Sequence, residues 1–482
     1  MLFPALMDPS DKVALRFGDR VLTYAQLRDA ASRVAEDVDI ADRVGVWAVP
    51  APETCVGVIG ALLAGVAVVP INPKTGELEL AHIVDDSDPG LILCAPGAEL
   101  PPALADRRRV DVDLDARGGE IPPEAPDEAP AMVIYTSGTT GPPKGAVLPR
   151  RSIASNLDAL AEAWEWTDRD VVAHALPLFH VHGLILGILG PIRRGGGAYH
   201  LGRFSSAAVG AALEHEATMF FAVPTMYHRL VEDAERSPDL AQQLGRARLL
   251  VSGSAALPAA EYARIERLTG QRVVERYGMT ETLMNTAIRV SGDRRPGYVG
   301  PPLGGVEIHL VDDDGNAIDA ADDETIGEIT VRGPNLFLEY LNRPDATAEA
   351  LRGGWFFTGD LATRAADGYI RIVGRRATDL IKSGGFKIGA GEIEGALLEH
   401  PDVRDAAVTG EPDPDLGERI VAWIVSRPGA SPSAEELSNH VASMLTPHKR
   451  PRVVHFLDEL PRNEMGKVQK KRLAAPNPTS SA

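Results

Sequence analysis

Tyr135-Thr136-Ser137-Gly138-Thr139-Thr140-Gly141-Pro142-Pro143-Lys144-Gly145 follows the apolar run Ala131-Met132-Val133-Ile134, which reads as a short buried strand. Hydroxyls, glycines and a lysine crowd the turn after it. Glycines let successive backbone N–H groups close on an anion, hydroxyls add donors, and the lysine adds a point charge. This is the equipment of a loop that holds nucleotide phosphates. It is not a Walker P-loop, because Lys144 is followed by Gly145 rather than by Ser or Thr. A plain surface turn would explain the glycines and prolines, but not this mixture with a lysine.

Upstream of the loop, short apolar strands alternate with helices. Thr23-Tyr24-Ala25-Gln26 fits a capping box opening a helix whose Leu27, Ala31 and Val34 share one face. Strands are expected at Val44–Val49, Val66–Val69 and Leu91–Leu93, with a buried helix from about Glu53 to Ala64. This alternation implies a largely parallel sheet covered on both faces. Residues 98–129 are rich in Pro, Asp, Glu and Arg and read as a surface connection.

Downstream, residues 152–275 alternate again, with strands expected at Ala217–Val223, Arg248–Val251 and Val273–Arg276. From Gly300 to about Val373 the pattern turns to β, with short strands at Val306–Val311, Glu328–Arg332 and Tyr369–Val373. Beyond Gly374 a small α+β unit is expected: helices at Glu392–Glu399 and Ser433–Met444, strands at Ala406–Thr409 and Ile420–Val425. Ser433 and Glu436 offer a second capping box. The tail Ala474–Ala482 is small and polar and reads as disordered. The expected fold class is therefore α/β. A large N-terminal domain of layered, mostly parallel sheets with helices carries a small β-rich subdomain (1–373), a hinge follows at 374–379, and a small mobile α+β domain closes the chain (380–482).

The 482 residues exceed one ordinary core, and 44% hydrophobic with 24% charged residues is a globular composition. A net charge of −19 leaves no cationic surplus for nucleic acid. The apolar stretch Cys55–Val69 is broken by Gly57, Gly60 and Gly65 and is shorter than the ~20 residues that span a bilayer, so no membrane is expected. The N-terminus does not read as a signal peptide. Cys55 and Cys94 form neither a disulfide framework nor a metal cluster, which points to a cytoplasmic setting.

Four further segments carry chemistry. Tyr277-Gly278-Met279-Thr280-Glu281-Thr282 sets an aromatic face, a glycine, hydroxyls and a carboxylate directly after a strand. In Trp355-Phe356-Phe357-Thr358-Gly359-Asp360 an aspartate follows a turn, where it can accept from ribose hydroxyls or cap the turn. Gly374-Arg375-Arg376-Ala377-Thr378-Asp379-Leu380-Ile381-Lys382-Ser383-Gly384-Gly385 joins charge to flexibility at the domain boundary. Pro461-Arg462-Asn463-Glu464-Met465-Gly466-Lys467-Val468 puts a lysine on a Gly-bearing loop.

In this order and rough spacing, the segments resemble the acyl-adenylate-forming superfamily of acyl-CoA synthetases, adenylation domains and luciferases, over essentially the whole chain. The resemblance implies an enzyme that uses ATP, Mg²⁺ and coenzyme A. Thr136, Ser137, Gly138, Thr139, Thr140 and Lys144 would hold the β- and γ-phosphates. Ser254, Ala255, Glu275, Tyr277, Gly278 and Met279 would form the adenine end, Asp360 would bind the ribose, and Arg375 would lie beside it. Lys467, Thr280 and Glu281 would be catalytic, with Glu281 and Thr139 at the metal. Lys382, Ser383, Gly384 and Gly385 would meet CoA after the small domain rotates. One departure leaves the hinge arginine open: Arg375 stands four residues before Asp379 and Arg376 three, so the pivot is Ala377 or Thr378.

The segments Glu275-Arg276 with Thr282-Leu283-Met284-Asn285-Thr286, and Pro177-Leu178-Phe179-His180-Val181-His182-Gly183, resemble the malonyl-CoA (methylmalonyl-CoA) synthetase branch. That branch implies an acid site at His182, Arg276 and Met284. An arginine there can hold a second carboxylate as a bidentate pair. Alternatively it pairs with Glu275 or another acid, and His182 is a satisfied core histidine. The expected activity is formation of malonyl-CoA, and of methylmalonyl-CoA, through an acyl-adenylate with release of pyrophosphate and AMP. The alternatives are a CoA ligase for another short-chain or aromatic acid, or an adenylation enzyme that loads a carrier protein.

Overall fold

The computed structural model describes residues 1–38, 41–136, 142–376, 379–384, 386–462 and 466–473. Two mostly parallel sheets dominate the N-terminal part. One has seven strands, in the order Glu339–Tyr340, Lys144–Pro149, Pro130–Thr136, Ala67–Ile71, Arg43–Trp47, Leu91–Cys94 and Arg108–Asp111. The other has eight: Leu283–Ala287, Val274–Met279, Leu249–Ser252, Met219–Ala222, Val171–His174, Gly197–His200, Val13–Phe17 and Arg20–Thr23. Among the described residues, antiparallel pairs in these two sheets occur at their ends, three of them between consecutive strands and one where the distant Glu339–Tyr340 adds to Lys144–Pro149. Central strands such as Ala67–Ile71 are buried along their whole length, which is why they read as continuous apolar runs.

The helix Pro52–Leu63 packs on the helix Tyr24–Val38 with Gly60 at the crossing, where a Cβ would meet Val34 Cβ at 2.5 Å. The Thr23 box is made: Gln26 N–H donates to Thr23 Oγ1, and Thr23 N–H donates to the Gln26 side chain. The Ser433 box is made in the same way before the helix Ala434–Met444. Residues 98–129 differ from the expected plain connection. Arg108–Asp111 adds an edge strand to the seven-stranded sheet, although its charged, largely exposed sequence carries no alternating apolar signal.

The β-rich region is a six-stranded antiparallel sheet that includes Gly327–Arg332, Trp355–Arg364 and Ile370–Arg375. Its last strand includes Gly374 and Arg375, two residues of the expected hinge. The C-terminal part has its own five-stranded sheet and its own core, built around Ile381, Ile393, Leu397, Val408, Ile420 and Val441. Among the described residues no helix is long and apolar enough to cross a membrane.

Candidate active site

The strands that flank the opening loop, Pro130–Thr136 and Lys144–Pro149, pair antiparallel. Thr136 and Lys144 face each other at the ends of antiparallel strands, and Thr136 Oγ1 donates to Lys144 O at 3.4 Å. Ser137, Gly138, Thr139 and Thr140 lie outside the described residues. The Lys144 ammonium sits 4.3 Å from the centre of the Tyr340 ring, whose hydroxyl donates to Glu281 Oε1 at 2.7 Å. Lys144 and the Tyr-Gly-Met-Thr-Glu segment thus meet through one tyrosine that sequence reasoning missed. Its only sequence signal is an aromatic in Phe337-Leu338-Glu339-Tyr340, and the strand that places it is two residues long.

Tyr277, Gly278 and Met279 end the strand Val274–Met279, and Thr280 and Glu281 form the turn into Leu283–Ala287. Gly278 is demanded by this hairpin, because a Cβ there would lie 1.9 Å from Leu283 O. Asn156 holds the backbone of Met284 with both side-chain atoms, at 2.7 and 3.1 Å. Asn335 Nδ2 donates to Thr282 O at 2.7 Å. These two buried asparagines brace the turn from behind.

Tyr277 Oη donates to Asp360 Oδ2 at 2.7 Å, and Arg375 forms an ion pair with Asp360, its Nε 2.8 Å from Oδ1. Burial raises the Asp360 pKa above the usual carboxylate value, with Arg375, Tyr277 and Lys467 opposing. Arg376 turns away, to Glu328 at 2.7 Å and Asp313 at 2.5 Å. Arg375 is therefore the arginine beside Asp360. Ala377 and Thr378 lie outside the described residues.

Lys467 lies within electrostatic reach of this cluster. Its charge is felt by Asp360 and Asp379, and the surrounding protein, with Arg375 next, depresses its pKa. Gly466 leans on Thr225 of the helix Pro224–Arg236, so the C-terminal domain rests here with its lysine loop against the N-terminal domain. Lys382, Ser383 and Gly384 lie elsewhere on that domain: Lys382 N–H donates to Glu418, Gly384 N–H donates to Leu416 O, and Ser383 pairs with Gly417. Gly385 is outside the described residues.

Past the strand Leu249–Ser252 the chain bends through Gly253, Ser254 and Ala255. Ser254 has φ +71°, a left-handed conformation that costs a non-glycine residue about 1 kcal/mol or more. Glu275 supports the far end of this loop, since its Oε1 accepts from Leu257 N–H at 3.2 Å. Burial pushes the Glu275 pKa up to about 7.

Arg276 is 6% exposed and makes no ion pair among the described residues; its Nε and Nη2 have no hydrogen-bond partner there. Its neighbour Glu275 does not serve it. Gly253 leaves the guanidinium its space, for a Cβ there would stand 2.3 Å from Arg276 Cζ. His182, 3% exposed on the wide buried helix His182–Leu189, likewise has neither ring nitrogen paired. Burial first, then the Arg276 charge, then His174 hold its pKa well below the ordinary value, so it is neutral. Met284, 2% exposed, follows on the neighbouring strand. Helical geometry at 182–189 was not foreseen, because after His182 its seven apolar and glycine residues carry no polar face to set a period.

The sequence model for AMP-binding enzymes matches residues 5–341, and that for the AMP-binding enzyme C-terminal domain matches residues 392–467. A malonate–CoA ligase of Arabidopsis thaliana is 34% identical, covering 98% of this chain and 87% of its own length. A malonyl-CoA ligase solved as a ternary product complex with methylmalonyl-CoA and AMP is 63% identical over 95% of this chain and all of its own, with a TM-score of 0.76. ATP-bound MatB from Rhodopseudomonas palustris is 34% identical over 98% of this chain and 97% of its own, with a TM-score of 0.89. With both family models matched in order and the fold shared end to end, the chain belongs to the AMP-binding, acyl-adenylate-forming enzymes.

Proposed function

We propose that this enzyme is an AMP-forming malonate–CoA ligase that also takes methylmalonate. The observation that carries this reading is Arg276, a buried guanidinium without a carboxylate partner among the described residues. An uncompensated buried charge costs several kcal/mol, and a substrate bearing a second carboxylate relieves that cost. Nε and Nη2 present a fork that matches two carboxylate oxygens, and neutral His182 beside it can donate one further hydrogen bond. A fatty or aromatic acid would leave both groups unpaired. The relatives above, malonate and malonyl-CoA ligases by name, support the same reading.

In the first half-reaction the free carboxylate of malonate attacks the α-phosphorus of ATP. An O–P bond forms, the bond to the β-phosphate oxygen breaks, and pyrophosphate leaves. Lys144 and the hydroxyl loop hold the departing phosphates, Tyr277 faces adenine, and Asp360 binds the ribose. Thr280 contacts the α-phosphate, and Lys467 bridges it to the acid. Preorganised donors of this kind are each worth on the order of 100- to 1000-fold in rate.

Among the described residues no group of three acidic, His or Cys side chains could cage a metal; Glu281, one of whose oxygens accepts from Tyr340, is the carboxylate that would hold Mg²⁺. That fits Mg²⁺, which is usually held by one or two carboxylates plus substrate phosphates. When bound, the ion neutralises phosphate charge. In the second half-reaction the CoA thiol attacks the acyl carbon and AMP leaves, with Lys382, Ser383, Gly384 and Gly385 brought to the cleft by rotation of the small domain. A cytoplasmic setting belongs to the same proposal and is supported by two buried, unpaired cysteines.

Acid-dependent exchange of labelled pyrophosphate into ATP, run with malonate, methylmalonate, acetate and benzoate, tests the reading. Exchange with the two diacids and little with the monocarboxylates is expected. Equal exchange with acetate or benzoate would show that Arg276 does not select the substrate.

A further inference from the structure

Lys470 lies three residues beyond Lys467, on the short turn Lys470–Arg472, and its side chain is 14% exposed. Its ammonium stands 2.7 Å from Asp379 Oδ1 and 2.7 Å from Glu394 Oε1. Both carboxylates have a second engagement. Glu394 Oε1 also accepts from Val408 N–H at 2.8 Å, which ties it to the domain's central strand Val403–Asp413. Asp379 Oδ2 accepts from Arg375 N–H at 2.9 Å, and that bond spans residues 376–378. Arg375 in turn grips Asp360.

One line of contacts therefore runs from the turn at Asp360 through Arg375 and Asp379 to Lys470, and so to the loop that carries Lys467. Every link is an ion pair or a charge-assisted hydrogen bond of 2.9 Å or less. The charges balance in kind. Burial alone would weaken the ammonium, and the two carboxylates outweigh it, leaving Lys470 more basic than a free lysine. A solvated surface lysine would show neither this enclosure nor two partners.

We propose that Lys470 is a positioning residue for the adenylation half-reaction: clamped between Asp379 and Glu394, it registers the Lys467 loop to the strand end that holds Asp360. Lys470 does not touch the reacting atoms. It sets where the Lys467 ammonium stands. The link that reaches the N-terminal domain, Arg375 N–H to Asp379, exists in the arrangement seen here. Lys470, Asp379 and Glu394 all lie on the C-terminal side of residues 377–378, so they travel together if the domain turns, while the two hydrogen bonds between Arg375 and Asp379, one from each backbone N–H, lie across that boundary.

This inference rests on the adenylate-forming reading above. The test compares Lys470→Met, which keeps the length and removes the charge, with Lys470→Arg and Glu394→Gln in the full chain. Each half is measured apart: malonate-dependent pyrophosphate exchange, and CoA attack on supplied malonyl-adenylate. A displacement of about 1 Å in a reacting group costs on the order of 100-fold, so Lys470→Met should lose about that much exchange. Its KM for ATP and its CoA step should stay close to the parent's, which also reports that it is folded. Lys470→Arg should recover most of the exchange, and Glu394→Gln should show the same one-sided loss to a smaller degree. Equal loss in both halves, or exchange unchanged in Lys470→Met, overturns the positioning role. Should Lys470→Met not fold, a Glu394→Gln enzyme with unaltered exchange overturns it as well. A parent that shows no malonate-dependent exchange would instead overturn the function proposed above.

Discussion

Arg276 concentrates the largest unrelieved electrostatic cost in the cleft. Burial pulls its pKa down to about 10, which still leaves it charged at neutral pH. The histidine against it is held neutral, so it adds no second positive charge to repel. Folding this chain without substrate means desolvating a cation that no described acid meets. Stability and function should therefore move in opposite directions at this residue. Replacing a buried charge by an apolar side chain of similar length is often neutral or stabilising by about 1–4 kcal/mol. Loss of a buried partner for an anion costs binding about 2–5 kcal/mol, roughly 30-fold or more. Arg276→Met should accordingly raise the melting temperature of the substrate-free protein in calorimetry while kcat/KM for malonate falls by about 100-fold. Added malonate should stabilise the parent and not the variant. A variant that melts lower and keeps its preference for malonate over acetate would place Arg276 in the scaffold and not at the acid.

The hairpin Val274–Met279 to Leu283–Ala287 is the element on which the site depends, because it carries Arg276 and Tyr277 on one strand and Thr280 and Glu281 in its turn. Its register shifts at Tyr277 and Gly278, and the turn closes so tightly that Leu283 O occupies the place of a side chain at Gly278. Leu283 itself takes φ +50° to make that closure. Gly278→Ala should destabilise the protein by about 1–3 kcal/mol in urea unfolding, through overpacking against backbone that cannot step aside. It should also weaken ATP binding, since Tyr277 and Glu281 move together. Ala at Gly297, a left-handed position with open space around it, is the control for the backbone preference of glycine alone. The strand before the turn was legible from Val273-Val274 and the chemistry from Tyr277 to Glu281, because both are local in sequence. Tyr340, Asn156 and Asn335 were not legible. Each reaches the hairpin from a distant segment, and neither a lone tyrosine in a two-residue strand nor an asparagine on a helix announces what it will touch. Nothing in the sequence separates Lys470 from its basic neighbours Lys471 and Arg472, because Asp379 and Glu394 meet it only in the fold.

At the scale of the whole molecule, the proposed two-step reaction makes the placement of the C-terminal domain decide which half-reaction the chain is poised for. Gly466 lies against Thr225, and Lys467 is within electrostatic reach of Asp360 and Arg375, the residues proposed to hold the ribose end of the nucleotide. The neighbour with 63% identity superposes less well than ATP-bound MatB at 34%. Divergence in sequence cannot produce that order, whereas a different placement of a rigid domain can, and this supports a chain resting in its adenylation arrangement. A cross-link across the contact tests it. A Cβ built on Gly466 lies 3.9 Å from Thr225 Cβ, inside the range of about 3.5–4.5 Å that a disulfide spans. Gly466 has φ +76°, so a cysteine there carries about 1–2 kcal/mol of backbone strain, which slows closure of the bond without forbidding it. The native cysteines are buried and compete little. In the double variant Thr225→Cys, Gly466→Cys, oxidation should leave malonate-dependent pyrophosphate exchange near the level of the reduced enzyme. Oxidation should also stop conversion of malonyl-adenylate to the CoA thioester, and dithiothreitol should restore it. If the oxidised enzyme makes thioester as fast as the reduced one, the domain does not need to leave Thr225 for CoA to attack, and the residues 382–385 act on CoA from where they stand.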